Sequence, residues 1–222
     1  MKIKSYLDKI VKPSANMLLN IIPGKKKLSQ YLRLALECVL PWRTIYPEIV
    51  MVTTTGCTLK CKNCNNLMPY YHSPYSIDPG ELIRDFDRLM AGMDSCVRFS
   101  LIGGEPFIYP HLKELLQHAI ESKKTMYVGL VTNATIIPNE EMLEILKNPK
   151  VVVSISNYGL ALQKVDELIE VFKKNGIRYI PDNSASWVKP GGTEFRGKSL
   201  TKLKKEYAGC FSFIIKLNLF NI

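Results

Sequence analysis

From Glu48 onward, short apolar runs alternate with amphipathic stretches, and the order is kept along most of the chain. The runs are IVMVTT, VRFSLI, TMYVGLVT, VVVSIS and a short IRYI, with FSFIIKL as a candidate sixth. Between them, Leu82, Ile83, Phe86, Leu89, Met90 and Met93 share one helical stripe, as do Leu112, Leu115, Leu116, Ala119 and Ile120. A third stripe surrounds Met142, Leu143, Ile145 and Leu146, and a fourth helix is predicted from about Leu160 to Asn175. Asp78-Pro79-Gly80-Glu81 has the form of a capped helix start, and Gly176 stands where a helix terminates. Strands alternating with helices in this way predict βαβ units and a mostly parallel sheet.

Successive predicted strands begin roughly 25 to 30 residues apart, a common βαβ length, except that the first interval is nearly twice that. The excess is a loop that opens with CTLKCKNC, residues 57–64. Long loops inside compact domains are usually functional. In parallel α/β folds ligands bind beyond the carboxyl ends of the strands. Gly103-Gly104-Glu105 follows the second strand, Asn133 the third, Asp182-Asn183 the fifth, and Ser154, Ser156 and Asn157 lie on or just past the fourth. All should gather at one rim with the cysteines, and Ser154 and Ser156 should share a strand face.

Composition narrows the class. The 222 residues hold six cysteines, too few for a disulfide-built scaffold, and Cys38, Cys96 and Cys210 stand alone. Cys38 and Cys96 read as buried thiols. The net charge of +10 is concentrated at the ends: +6 over residues 1–48, +5 over residues 189–222 and −1 between them. Without interleaved aromatics these flanks read as solvated basic faces, so nucleic acid is not an expected partner. No stretch approaches a membrane span, no signal peptide is read, and a cytoplasmic protein is expected. Two helix-like stretches before residue 48 predict an N-terminal helical extension. The expected organisation is an extension over 1–46, a core over 47–181 and a basic, loop-like tail over 182–222.

Three clustered thiols are soft ligands that select zinc, copper(I) or iron–sulfur clusters. A closed zinc site wants four ligands, and His72 offers a fourth, so a non-enzymatic Cys3His zinc module docking nucleic acid or a partner protein remains open. A [4Fe–4S] cubane held by three cysteines instead leaves one iron free for a ligand. Tyr70, Tyr71 and His72, which follow the cysteines, are candidates for a substrate mouth, as is Trp187.

Cys57, Cys61 and Cys64 match the C-x3-C-x2-C signature of the radical S-adenosylmethionine (SAM) enzymes, and GGEP at 103–106 resembles that family's second signature. VTNAT at 131–135 and SISN at 154–157 are similar to its third and fourth strand ends. The resemblance covers about residues 47 to 181 and implies an α/β fold, a partial (β/α)6 TIM-like barrel. It implies that the three cysteines ligate a [4Fe–4S] cluster whose fourth iron is chelated by SAM. Gly103, Gly104 and Glu105 would then meet the SAM amino group, Asn133 the same cofactor, and Ser154, Ser156 and Asn157 the ribose. Reductive cleavage of SAM would yield methionine and a 5′-deoxyadenosyl radical that abstracts hydrogen from a substrate. It further implies a low-potential electron donor such as flavodoxin or ferredoxin, and a peptide, protein or small-molecule substrate. The family often places an aromatic or apolar residue before the last cysteine, where this chain has Asn63, so the adenine contact is made differently. The GGEP form resembles members that continue into a cysteine-rich SPASM or twitch domain, to which this chain would contribute only Cys210. A minimal member, a chain that stops before its natural C-terminal portion, and a cluster binder without turnover are all compatible with that pattern.

Overall fold

The computed structural model describes residues 44–62, 64, 66–183 and 197–208. The N-terminal helical extension, the candidate sixth strand, Asn63, Trp187, Cys38 and Cys210 lie outside these residues. The chain divides into two compact units, Met1–Trp187 and Val188–Ile222.

In the first unit five strands form one sheet: β1 (Ile45–Val52), β2 (Ser95–Ile102), β3 (Thr125–Thr132), β4 (Val151–Ser156) and β5 (Tyr179–Asp182). Their spatial order is their sequence order, and every neighbouring pair is parallel. Four helices connect them: α1 (Pro79–Ala91), α2 (Leu112–Glu121), α3 (Glu140–Leu146) and α4 (Val165–Lys174). This is the parallel, helix-flanked sheet of a partial (β/α) barrel. Pro47 and Pro181 fall in β1 and β5, the two edge strands, where a missing N–H costs no ladder bond.

The helical stripes face one side of the sheet. Leu82, Phe86 and Met90 of α1, Leu112, Leu115, Leu116 and Ala119 of α2, and Leu168 and Phe172 of α4 pack with Phe99, Leu101, Val128, Leu130, Val153 and Ile155 in one core. Phe86 meets Phe99 edge-to-face at 4.7 Å, which fixes α1 over β2. The opposite face is mixed, with a polar cluster set among Val50, Ile102, Val131 and Val152. Arg98 Nη2 donates to Ser154 Oγ (2.9 Å), Arg98 Nε lies 3.4 Å from Glu48 Oε1, and Ser100 Oγ donates to Glu48 Oε1 (2.8 Å). Arg98 reaches from β2 across β3 to β4 because Gly129 lies beneath it; a Cβ there would stand 2.5 Å from Ser100 Oγ and 2.7 Å from Arg98 Nε.

Local signals explain the ends of the helices. Asp78 accepts from the Glu81 N–H (2.9 Å) at the start of α1, Asn139 from Met142 at the start of α3, and Gly176 after α4 adopts φ +65°. Several boundaries differ from the sequence reading: β2 begins at Ser95 rather than Val97, and β5 runs Tyr179–Asp182 rather than over IRYI. β1 begins at Ile45, before the apolar run proper. The fourth helix begins at Val165 rather than near Leu160, because the Gln163 side chain takes the Tyr158 and Leu160 N–H groups and holds residues 158–163 in a turn. The segment expected to be loop-like up to Lys205 contains a helix, α5 (Leu200–Ala208), in the second unit. Among the described residues no helix is long and apolar enough to cross a membrane.

Candidate functional site

The cysteine loop leaves β1 through three consecutive threonines, all buried. Thr53 Oγ1 donates to the Ile102 carbonyl (3.0 Å), which ties the exit of β1 to the end of β2. Thr54 Oγ1 and Thr55 Oγ1 donate to the Tyr75 carbonyl (3.1 and 3.2 Å), and the Tyr75 N–H returns a bond to Thr55 Oγ1 (2.9 Å). The Ile77 N–H reaches the Thr53 carbonyl, and Thr54 and Ser76 form an antiparallel bridge. Both ends of the long loop are therefore fastened together, and the cysteines hang in a closed excursion above the sheet. Sequence reasoning read these threonines only as a strand end; a run of β-branched hydroxyls directly before the cysteines was the available signal.

The Gly-Gly-Glu stretch lies directly against the start of that excursion. The Gly104 N–H donates to the Thr54 carbonyl and the Glu105 N–H to the Gly56 carbonyl, both at 2.9 Å. A Cβ on Gly104 would fall 2.0 Å from Gly56 O and 2.6 Å from Cys57 Cβ, so only glycine fits. Asn66 from the far side of the loop donates to the Gly103 carbonyl at 3.5 Å.

Glu105 is fully buried. Its Oε1 accepts from the Phe107 N–H (3.1 Å), its Oε2 from the Asn133 N–H (2.8 Å), and the Thr132 hydroxyl reaches both oxygens (2.9 and 3.0 Å). Burial raises its pKa, and these donors work against that rise. The carboxylate thus locks the end of β3 to the end of β2, and what the stretch turns toward the cysteines is backbone.

Beyond β3 the chain turns through Ala134, buried and left-handed at φ +58°. The turn is secured by Thr132 Oγ1, which accepts from the Ala134 N–H (3.1 Å), and by the Lys164 N–H, which donates to the Ala134 carbonyl (2.7 Å). It sets the Asn133 side chain beside the first cysteine: Nδ2 lies 3.6 Å from Cys57 Sγ and 3.1 Å from Thr58 Oγ1. Gln163 Nε2 donates to the carbonyls of Asn133 and Ser156, each at 2.7 Å, joining the ends of β3 and β4.

The three thiols lie close enough to influence one another. Burial raises the Cys57 pKa, with smaller contributions from the charges of Glu105, Cys61 and Cys64; burial and then Cys64 raise that of Cys61. Tyr158, just past β4, is likewise raised by burial and by all three sulfurs, while its contact with Ser156 lowers it. Tyr158 was missed from sequence, although it directly follows SISN. Among the described residues no three His, Cys, Asp or Glu side chains converge to metal-binding positions, whether the thiols alone or with His72. The donor set nonetheless suits a soft cation. Three partly buried thiols share one loop, burial makes Cys57 and Cys61 costly to ionise alone, and a metal would remove that cost by binding the thiolates.

The remaining predicted residues separate. Ser156 lies at the rim under Tyr158, whereas Ser154 is two residues deeper and bonded to Arg98. Asn157 extends the β4–β5 ladder through its N–H to the Asp182 carbonyl (2.8 Å), and its side chain bonds Asn183 and the Gly159 N–H. Tyr70 and Tyr71 are exposed; Cys96 is buried in the core, its thiol pushed up to about 11 by burial.

A partial parallel barrel carrying a three-thiol loop pressed on a Gly-Gly-Glu stretch defines the fold and its candidate site. The family model of the radical SAM superfamily matches residues 51–179, more than half of the chain, and the chain belongs to that superfamily. Among solved structures it resembles Streptococcus suis SuiB bound to S-adenosylmethionine, at 16% identity and TM-score 0.53, covering 94% of this chain and 49% of that one. It also resembles BtrN in complex with AdoMet and 2-DOIA, at 15% identity and TM-score 0.53, covering 65% of this chain and 59% of that one. AdoMet-bound anSMEcpe matches at 23% identity and TM-score 0.47, over 62% of this chain and 43% of that one. The chain therefore spans less than two thirds of each of these solved chains. No curated protein matches it.

Proposed function

We propose that Cys57, Cys61 and Cys64 hold a [4Fe–4S] cluster and that SAM binds beside it, across the ends of β2, β3 and β4. The observation that carries this reading is the contact between signatures: Gly104 and Glu105 donate their N–H groups to the first turn of the cysteine loop, with no room for a side chain between them. When bound, the cluster supplies an electron that cleaves SAM to methionine and a 5′-deoxyadenosyl radical able to abstract hydrogen from a substrate.

The chain's own residues bind, orient and exclude water. The Gly103 and Gly104 backbone forms the wall for the methionine end of SAM, and Glu105 keeps that wall rigid from beneath. Ser156 and Asn157 are the candidates for the ribose, and Ser154 supports the site from below through Arg98. The donor remains a low-potential protein such as flavodoxin or ferredoxin. The substrate class stays open among peptide, protein and small molecule: the same fold accommodates the precursor peptide SuiA in SuiB and 2-DOIA in BtrN.

Anaerobic reconstitution tests the reading. Uptake of about four irons and four sulfides per chain is expected of a cubane cluster, and Cys61→Ala should abolish it. Dithionite and SAM should then release 5′-deoxyadenosine. Stoichiometric zinc without iron would overturn the proposal in favour of a zinc module, and a reducible cluster that releases no 5′-deoxyadenosine would reduce the protein to a binder.

A further inference from the structure

The orientation of the Asn133 amide is fixed by a group that can only donate. The Thr135 backbone N–H points at Asn133 Oδ1 (3.1 Å), and the Thr135 hydroxyl donates to the same oxygen (2.7 Å). The oxygen must therefore face Thr135, which turns the NH2 group toward Thr58 Oγ1 and Cys57 Sγ. Thr58 Oγ1 also lies 2.5 Å from Thr135 Oγ1, closing a ring of three side chains around the first cysteine. Asn133 itself is buried, its carbonyl is held by Gln163 and its N–H by Glu105, so neither backbone nor side chain is free to rotate away. A second donor reaches the same sulfur, the Leu59 N–H at 3.4 Å.

We infer that Asn133 is a positioning residue for the cluster ligand, donating its side-chain N–H to the Cys57 sulfur and thereby favouring the reduced state of the metal centre. This rests on the cluster reading above but assigns Asn133 to the cysteine rather than to SAM. Hydrogen bonds to ligand sulfurs stabilise the more negative, reduced form and raise the reduction potential, and partners of this kind orient the ligands they touch.

An EPR-monitored redox titration of the reconstituted protein tests it, with iron content measured on every sample. Asn133→Asp is nearly isosteric and keeps an oxygen for Thr135 while replacing the donor with an acceptor. It should make reduction at least ~10-fold less favourable, a fall of about 59 mV for a one-electron couple. Asn133→Leu should shift the same way, and Thr135→Val, which keeps the backbone N–H bond to the amide oxygen but removes the hydroxyl that also donates to it, should shift less. A loop clasp alone would lower the melting temperature or iron content in these variants and leave the potential of the iron-loaded fraction at the wild-type value, which would overturn the inference. Failure of the cluster reading is distinguishable, because the wild-type protein would then take up no iron at all.

Discussion

The two ends of the sheet satisfy their backbones in opposite ways. At the floor, where strands begin, a cation stands one residue before each of the last three strands and reaches across to carbonyls of the segment that leads into the neighbouring strand. Lys124 Nζ donates to the Met90 and Met93 carbonyls (2.5 and 2.7 Å), Lys150 Nζ to those of Ile120 and Ser122 (2.8 and 2.7 Å), and Arg178 Nη1 to that of Pro149 (2.5 Å). Helix C-termini leave unpaired carbonyls and a negative dipole end, and a long cationic side chain answers both. At the rim, the corresponding fastenings are made by Thr, Asn and Gln side chains, by close glycine backbone and by one buried carboxylate. The floor is closed by charge, whereas the rim is fastened mainly by neutral groups and carries the three thiols. A repeating unit can thus carry stability at one end and functional side chains at the other.

The sharpest way to break this contrast is Gly104→Ala. The new methyl group would overlap Gly56 O and press on Cys57 Cβ, contacts made by backbone and loop start rather than by flexible side-chain ends. Overpacking of this kind costs ~1–3 kcal/mol or more, and here relief requires displacing the cysteine loop. Iron uptake should fall at least ~10-fold, the equivalent of about 1.4 kcal/mol in binding, while far-ultraviolet circular dichroism stays that of the wild type. Normal iron content in this variant would mean that the two signatures do not need their close contact.

Glu105→Gln probes the one charge built into the rim. Its amide would place a donor against either the Asn133 or the Phe107 N–H, and an unsatisfied buried pair costs ~1–3 kcal/mol, read as a lower urea midpoint at neutral pH. The pH profile sharpens the point. Burial lifts the Glu105 pKa above its ordinary 4.5, so between 4.5 and the lifted value the folded protein binds more protons than the unfolded chain. The wild-type protein should therefore lose stability as pH rises through that window, and the slope should vanish in Glu105→Gln. An unchanged slope would show that the donors around the carboxylate fully offset its burial.

Much of the fold was legible because hydrophobic period is a local signal. The stripes of Leu82, Phe86 and Met90, or of Leu112, Leu115, Leu116 and Ala119, name their own buried faces, and the alternation in VVVSIS separates Val153 and Ile155 in the core from Ser154 and Ser156 on the other side. The exposed Leu160 and Leu162 misled for the same reason, since apolar spacing continues a helix on paper while Gln163 had already taken its N–H groups. The Lys-rich helix Leu200–Ala208 was read as loop because charge outweighed its apolar spacing. At the site, the cysteine loop and the glycines were visible as composition. The bonds that fasten them were not: Thr58 to Asn133 and Thr135 spans more than seventy residues of chain, and nothing in a lone threonine announces such a partner. The floor lysines were invisible too, because a lysine before a strand looks like an ordinary solvated charge.

Those lysines supply the smallest expected effect and the cleanest complement to the rim. Lys124→Met and Lys150→Met keep most of the aliphatic stem but strand two carbonyls each, and hydrogen bonds from a charged donor are worth ~1.5–3 kcal/mol when buried. Both side chains are only partly buried and water reaches some of what they leave, so each substitution should cost about 1–1.5 kcal/mol. Chemical denaturation should register that loss as a lower midpoint at unchanged m-value. Iron uptake should be indistinguishable from wild type, because the floor touches no rim residue directly. The double variant should depart from additivity: the Lys124 N–H donates to the Ser122 hydroxyl oxygen and Lys150 Nζ to the Ser122 carbonyl, so the two caps share one residue. If instead either single variant lowered iron uptake in proportion to its stability, the two ends would be one cooperative unit, and the separation of floor from rim would be a matter of placement rather than of energetics.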